Sequence, residues 1–243
     1  MLTLYFAPGS CAMAPRFALA YAGADYTLIR MNLGDGEQQR PEHLARNPLG
    51  RVPVLVDDDF VLTENLAILR YIARRFPQAA LWPDDPKEEA RCLELMALCA
   101  TALHPTMAHE RKPQRYAHAP ESRIDVAAVA RETLASLTMV IERRIAAWDA
   151  ARKVAQRGIA SNDAVERFTV ADFYLAFFWL FRPGASYALP ASVPITDDDR
   201  TPAWTALARR VYALPCIRDI CMADGLRQPG PPSALDNIAV PGE

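Results

Sequence analysis

The feature that most constrains this chain is a change of pattern at one proline-rich segment, PQAALWPDDP at residues 77–86. It has three prolines and no periodicity, which reads as a linker between domains. Before it, strand and helix signals alternate. LTLYF at 2–6 is a short strand, Pro8-Gly9-Ser10 a turn, 14–21 a helix ended by Gly23, and 26–30 a second strand. Residues 52–56 and 60–62 flank Asp57-Asp58-Asp59 as a hairpin, and Leu66, Leu69, Ile72 and Phe76 recur at helical spacing. A βαβ unit joins parallel strands by a right-handed crossover, and the ββα that follows adds an antiparallel pair, so the expected first domain (1–76) is a small mixed sheet flanked by helices.

After the linker the periodicity is helical throughout, over 88–103, 124–148, 170–181 and 203–214. In the longest segment, Ile124, Leu134, Leu137, Ile141, Ile145 and Trp148 form one expected apolar stripe. The fold class is therefore α/β plus all-α, with a helical domain over 87–225. A tail at 226–243, rich in proline and glycine, is expected to be irregular.

Composition narrows the function classes. With 27 Lys and Arg against 29 Asp and Glu the formal net charge is −2, so nothing draws the chain to nucleic acid or an anionic membrane. Five widely spaced cysteines, an odd number, suggest reduced thiols and a cytoplasmic location. Residues 1–14 lack the basic start of a signal peptide, and the longest apolar run, 170–181, is broken by Asp172 and too short to span a bilayer. The histidines have no metal-ligand spacing with the cysteines, so no metal is expected.

Chemistry concentrates at a few points. Cys11 follows a turn and opens a helix, where the helix dipole favours anionic sulfur; otherwise it is a buried small hydrophobe. There is no Cys-x-x-Cys, because position 14 is Ala, so thiol chemistry needs an external thiol. Ser10 offers a hydroxyl from the same turn, or simply caps it. Val52-Pro53 either opens a strand in trans or, in cis, presents the Val52 backbone to an extended peptide. Thr63 is the expected N-cap of the helix that places Glu64 and Asn65 at its start. That acid and amide suit a ligand bearing both ammonium and carboxylate, or are ordinary capping. His104 stands at the expected end of a long helix, where Pro105 breaks the ladder and aims the ring across a cleft, or it is a satisfied helix-end histidine. Thr169 and Asp172 form a structural capping box for the most buried helix, with Phe168 stapling onto Phe173.

The set PGSCAMAPRFAL, NPLGRVPVL, LTENLAILRYIA, LHP and RFTVADFYL resembles the glutathione S-transferase superfamily over about residues 1–225. Cys11 in the turn and His104 in the first long helix make it most like the bacterial beta class, and the zeta-class SSCxWRVR signature is absent. The resemblance implies a thioredoxin-like first domain, a homodimer, and glutathione as co-substrate for conjugation to a small hydrophobic electrophile, a detoxification activity. Thiol-disulfide exchange through Cys11 is the accompanying possibility. It implies that Cys11 or Ser10, with His104, attends the glutathione sulfur. Val52, through a cis Pro53, would pair with its cysteinyl backbone, Glu64 and Asn65 would hold its γ-glutamyl end, and Arg51 is a further glutathione-binding residue. The electrophile would sit between domains against Met107, Arg111 and Phe181. The alternative is a non-catalytic member acting as a regulatory or interaction protein.

Overall fold

The computed structural model describes residues 1–156, 167–182 and 200–225; the tail at 226–243 lies outside them. Four strands, β1 (Leu2–Phe6), β2 (Thr27–Arg30), β3 (Val54–Asp57) and β4 (Phe60–Thr63), form one sheet in the order β2-β1-β3-β4. β1 runs parallel to β2 and antiparallel to β3, with Leu4 opposite both Leu28 and Leu55; β3 and β4 close the hairpin. This is the expected mixed thioredoxin-like sheet, reached because α1 (Met13–Tyr21) makes the crossover between the parallel pair.

The short α2 (Pro41–Leu44), not anticipated from the sequence, is followed by α3 (Asn65–Arg75). The helical part then comprises α4 (Pro86–Leu98), a π-helical turn at Cys99–Leu103, α5 (His104–Arg111), α6 (Pro120–Gln156), α7 (Val170–Trp179), α8 (Pro202–Ala213) and α9 (Pro215–Ala223). Three expectations change here. The helix runs on through residue 104 instead of ending there. Pro105 has no N–H for the ladder, and the π turn before it absorbs the mismatch while helical dihedrals continue at His104. Ile124 is 71% exposed, whereas Leu134, Ile141, Ile145 and Trp148 are buried. Ten residues at about 100° each leave Ile124 about 80° off the face of Leu134. Finally, α9 was missed because its nine residues begin at a proline directly after α8.

Every residue of α7 is buried, as an all-round apolar helix must be. α1 is nearly as enclosed: Met13 to Leu19 are all buried, and it packs on α3, α7 and α9. Edge-on contacts of Phe17 with Tyr212 (6.0 Å) and of Tyr21 with Phe168 (5.9 Å) join the sheet unit to the helices in one core. Also across this seam, Arg16 of α1 pairs with Asp224 beyond α9, both side chains under a tenth exposed, and its guanidinium lies 4.6 Å from the Phe6 ring centroid.

The capping box at α7 is present. The Asp172 carboxylate, 1% exposed, accepts from the Thr169 N–H (2.6 Å) and hydroxyl (2.9 Å), and Arg152 of α6 donates to it at 3.2 Å. Phe168 and Phe173 stack above it at 6.1 Å. Removing the acid leaves the cap donors without an acceptor and a largely buried guanidinium with only the Arg167 carbonyl to accept from it. Asp172→Ala is therefore expected to destabilise the fold by about 3 kcal/mol, clearly more than Thr169→Ala at about 1 kcal/mol, in denaturant unfolding of the two variants. Equal losses would show that Arg152 does not depend on this carboxylate.

Candidate active site

β1 ends at Phe6 and the chain reverses through residues 7–12 into α1. Gly9, at φ 67°, supplies the left-handed step that a side chain would resist. The Ser10 hydroxyl donates its single proton to the Ala7 carbonyl (2.7 Å) and accepts from the Ala12 N–H (3.3 Å). Ser10 therefore knits the turn and does not stand beside Cys11 as an interchangeable donor, a correction to the reading from adjacency. The Cys11 thiol donates to the Val52 carbonyl at 3.7 Å, directly linking turn and hairpin.

Cys11 also departs from the expectation of a thiolate. Burial pushes its thiol up to about 11, against the Asn65 amide, which favours the anion; Glu64 adds to the rise and Arg51 opposes it. A helix N-terminus contributes only about 0.3–1 kcal/mol toward the anion, too little against desolvation. Cys11 is a neutral hydrogen-bond donor at neutral pH.

The Val52-Pro53 peptide is cis. Just before it, the Arg51 carbonyl is held by His43 Nε2 (3.0 Å) and by the Asn47 amide (2.9 Å), both residues being nearly inaccessible. Asn47 also accepts from the Leu49 N–H, and Gly50 passes so close to Gln39 that a Cβ would meet its amide at 2.3 Å. The segment 47–53 is thus fixed by its own polar groups, leaving the Arg51 side chain exposed and, among the described residues, the Val52 N–H without a partner. The His43 and Asn47 clamp escaped the sequence reading. An Asn before a Pro-x-Gly turn was its one available signal.

Thr63 belongs to β4, so it is not the cap of α3. That place is taken by Glu64, which has φ 69° and ψ 123° and uses no side-chain cap. Non-glycine residues in this backbone region persist only where the surroundings enforce them, typically at binding sites. The conformation leaves the Glu64 side chain exposed and turns Asn65 inward: Asn65 is 7% exposed, its amide faces both Cys11 and the Tyr174 hydroxyl, and its Oδ1 has no partner. Asn65 thus supports the thiol from behind, unlike the outward ligand-holding role expected of it. Tyr174 was read only as part of a buried helix.

His104 is half-buried with its ring 5.4 Å from Phe178, which in turn lies 4.8 Å from Tyr174. Burial lowers its pKa from the ordinary 6.5, and the Arg51 charge lowers it further, so the imidazole is neutral at pH 7. The Cys11 thiol is bonded to Val52, next in sequence to Arg51, and the Arg51 charge acts on both Cys11 and His104, as Glu64 acts on Cys11. The expected outer wall is more closed. Met107 and Phe181 are each 6% exposed, and the Arg111 guanidinium caps Phe181, 5.1 Å from its ring centroid and 3.4 Å from its carbonyl. These two apolar side chains are thus almost fully enclosed. An open cavity of about 500 Å³ does adjoin the turn on the sheet side, bounded by Ala7, Pro8, Arg30, Met31 and Glu37. No group of three or more metal-binding side chains occurs among the described residues.

Residues 1–74 match the family model for the glutathione S-transferase N-terminal domain. A solved glutathione transferase homolog from Sulfitobacter, with bound glutathione, superposes with a TM-score of 0.75 at 30% identity, over 93% of this chain and 99% of that one. The chain belongs to the glutathione S-transferase superfamily. Among curated relatives, a maleylacetoacetate isomerase of Pseudomonas aeruginosa is 43% identical over 93 residues, covering 37% of this chain and 44% of that protein. A zeta-class glutathione S-transferase of Euphorbia esula is 35% identical over 96 residues, covering 40% and 43%. These alignments span less than half the length of either relative. One of these two is named for the zeta class and the other for its isomerase activity; neither carries the name of the beta class.

A neutral Cys11 should react slowly with alkylating agents. Iodoacetamide modification of Cys11, followed by mass spectrometry, is expected to accelerate about tenfold per pH unit from pH 8 to 10 with no plateau below pH 10. A plateau near pH 7 would show the thiolate that a helix start alone would produce.

Proposed function

We propose that the protein is a glutathione transferase that binds glutathione across the groove between the 7–12 turn, the Val52-Pro53 step and the start of α3, and conjugates it to a small hydrophobic electrophile. What supports the reading is a Val52 N–H without a partner among the described residues beside a cis proline, with the Cys11 thiol bonded to the Val52 carbonyl and an exposed Glu64 one residue beyond Thr63, which pairs with Val54. An extended tripeptide pairs with Val52 as an added half-strand. Glu64 attracts its ammonium group. Cys11 turns its S–H from the Val52 carbonyl to the incoming sulfur.

A hydrogen bond to charged sulfur is worth about 1.5–3 kcal/mol, close to the roughly 2.7 kcal/mol needed to lower a thiol pKa by about two units. The thiol proton leaves to water, the sulfur attacks the electrophilic carbon, and its leaving group departs with the bonding pair. The same chemistry argues for conjugation over thiol-disulfide exchange, since a thiol near pH 11 presents little nucleophile at neutral pH. Cys11 with His104 favours a beta-class reading of the site. The isomerase relative supports a second one, in which the thiolate adds to a double bond and is later expelled.

The protein is further proposed to be a homodimer, because Phe60 and Val61 on the edge strand β4 and Leu93 on α4 are exposed apolar side chains. No helix among the described residues is long and apolar enough to cross a membrane, and all five cysteines are free, which fits a reducing cytoplasm.

Millimolar glutathione is expected to raise the melting temperature, and Glu64→Gln to weaken that effect about tenfold in concentration. A protein neither stabilised by glutathione nor active on electrophile panels would instead be a non-catalytic member of the superfamily. In sedimentation, Phe60→Glu is expected to shift the species toward monomer; an unchanged dimer would place the interface elsewhere.

A further inference from the structure

We propose that His43 and Asn47 are positioning residues for glutathione: by gripping the Arg51 carbonyl from behind, they aim the Val52 N–H at the cysteinyl backbone of the bound tripeptide. The inference rests on the glutathione-transferase reading above. The two residues stand four apart, and the Asn47 N–H donates to the His43 carbonyl at 2.9 Å, so a single helical turn running on from α2 brings both side chains to one face. From there His43 Nε2 and the Asn47 amide reach the same oxygen, at 3.0 and 2.9 Å, although the residues are only 3% and 4% exposed. A carbonyl only accepts, so Nε2 carries the proton; the buried Nδ1 has no partner. Tyr5 of β1 meets the His43 ring edge-on at 6.1 Å, which seats the ring against the sheet.

A planar trans peptide points its C=O and its N–H in opposite directions. The Arg51 carbonyl and the Val52 N–H belong to one such unit, since the cis bond is the following one, Val52-Pro53. Two donors on the oxygen therefore set the direction of the N–H on the far side. They also polarise the amide, which strengthens that N–H as a donor. The Val52 N–H has no partner among the described residues, while the Val52 carbonyl is taken by the Cys11 thiol at 3.7 Å. The turn at 47–50 is closed by other bonds: the Gly50 N–H donates to the Asn47 carbonyl at 2.9 Å, and the Leu49 N–H to Asn47 Oδ1 at 3.1 Å. The two donors on Arg51 thus act beyond the turn, on the peptide that a ligand strand would pair with.

The test compares the unmodified protein with Asn47→Asp, His43→Phe and His43→Gln. Asn47→Asp keeps the oxygen that accepts from Leu49 and loses only the donor to Arg51; His43→Gln returns an N–H donor at the reach of Nε2, and His43→Phe has none. With a chlorodinitrobenzene as acceptor, KM for glutathione is expected to rise about fivefold in Asn47→Asp and His43→Phe, with kcat changed by less than about twofold. His43→Gln restores most of the loss. In protein NMR, glutathione moves the Val52 amide proton of the unmodified protein downfield, and moves it less in the two variants that lack a donor. Circular dichroism checks that each variant is folded, and Asn47→Asp decides where His43→Phe is not. A general loosening of the buried site would lower kcat together with affinity and would gain nothing from His43→Gln. Either of those results, or an unchanged glutathione KM in folded Asn47→Asp, overturns the proposal. If glutathione does not raise the melting temperature of the unmodified protein, the parent reading is overturned and the proposal falls with it.

Discussion

Helix α1 has no face of its own for water, and most of the architecture follows from that. A helix enclosed from Met13 to Leu19 needs the sheet on one side and α3, α7 and α9 around the rest, so neither half of the chain completes its core alone. The turn at residues 7–12 is the short leader into this helix and inherits its rigidity. Cys11 is consequently placed by packing, with its thiol tied to Val52 across 41 residues of sequence. The same enclosure explains its protonation, since the burial that fixes the sulfur also removes the water that would solvate a thiolate.

The fold was largely legible because its signals are local and redundant. Apolar runs bounded by Gly and Asp marked the strands, the order βαβ then ββα fixed the sheet, and Thr169 with Asp172 announced α7. Unlike the His43 and Asn47 clamp and the Tyr174 hydroxyl, the residues Cys11, Val52, Glu64, Asn65 and His104 were also nameable from the sequence. What stayed hidden were their orientations. Nothing in Thr63-Glu64-Asn65 reveals that Glu64 adopts a positive φ, which exchanges the expected cap and turns Asn65 inward. Nothing in Ser10-Cys11 tells which proton goes to Ala7 and which to Val52. Pro105 is visible as a helix disruptor, but whether the helix stops or takes a π turn depends on the tertiary support given to α4 and α5.

The site separates neutral support from exposed charge. Behind the sulfur lie Asn65, Tyr174 and Phe178, all deeply buried, with the neutral ring of His104 against them. Glu64 and Arg51, both exposed and opposite in sign, stand on two segments held by unrelated means: one by a forced backbone turn, the other by a carbonyl clamp. The spacing of these charges is set by the sheet, because β3 and β4 connect the two segments in register from Val54 opposite Thr63.

The pairing of Arg16 with Asp224 reaches over 208 positions. During biosynthesis the arginine leaves the ribosome 208 residues ahead of its counter-ion. Until then, docking α1 fully would enclose an uncompensated guanidinium, so the nascent N-terminal unit is kept from closing prematurely. Arrival of Asp224, and not the first folded segment, is what seals this contact.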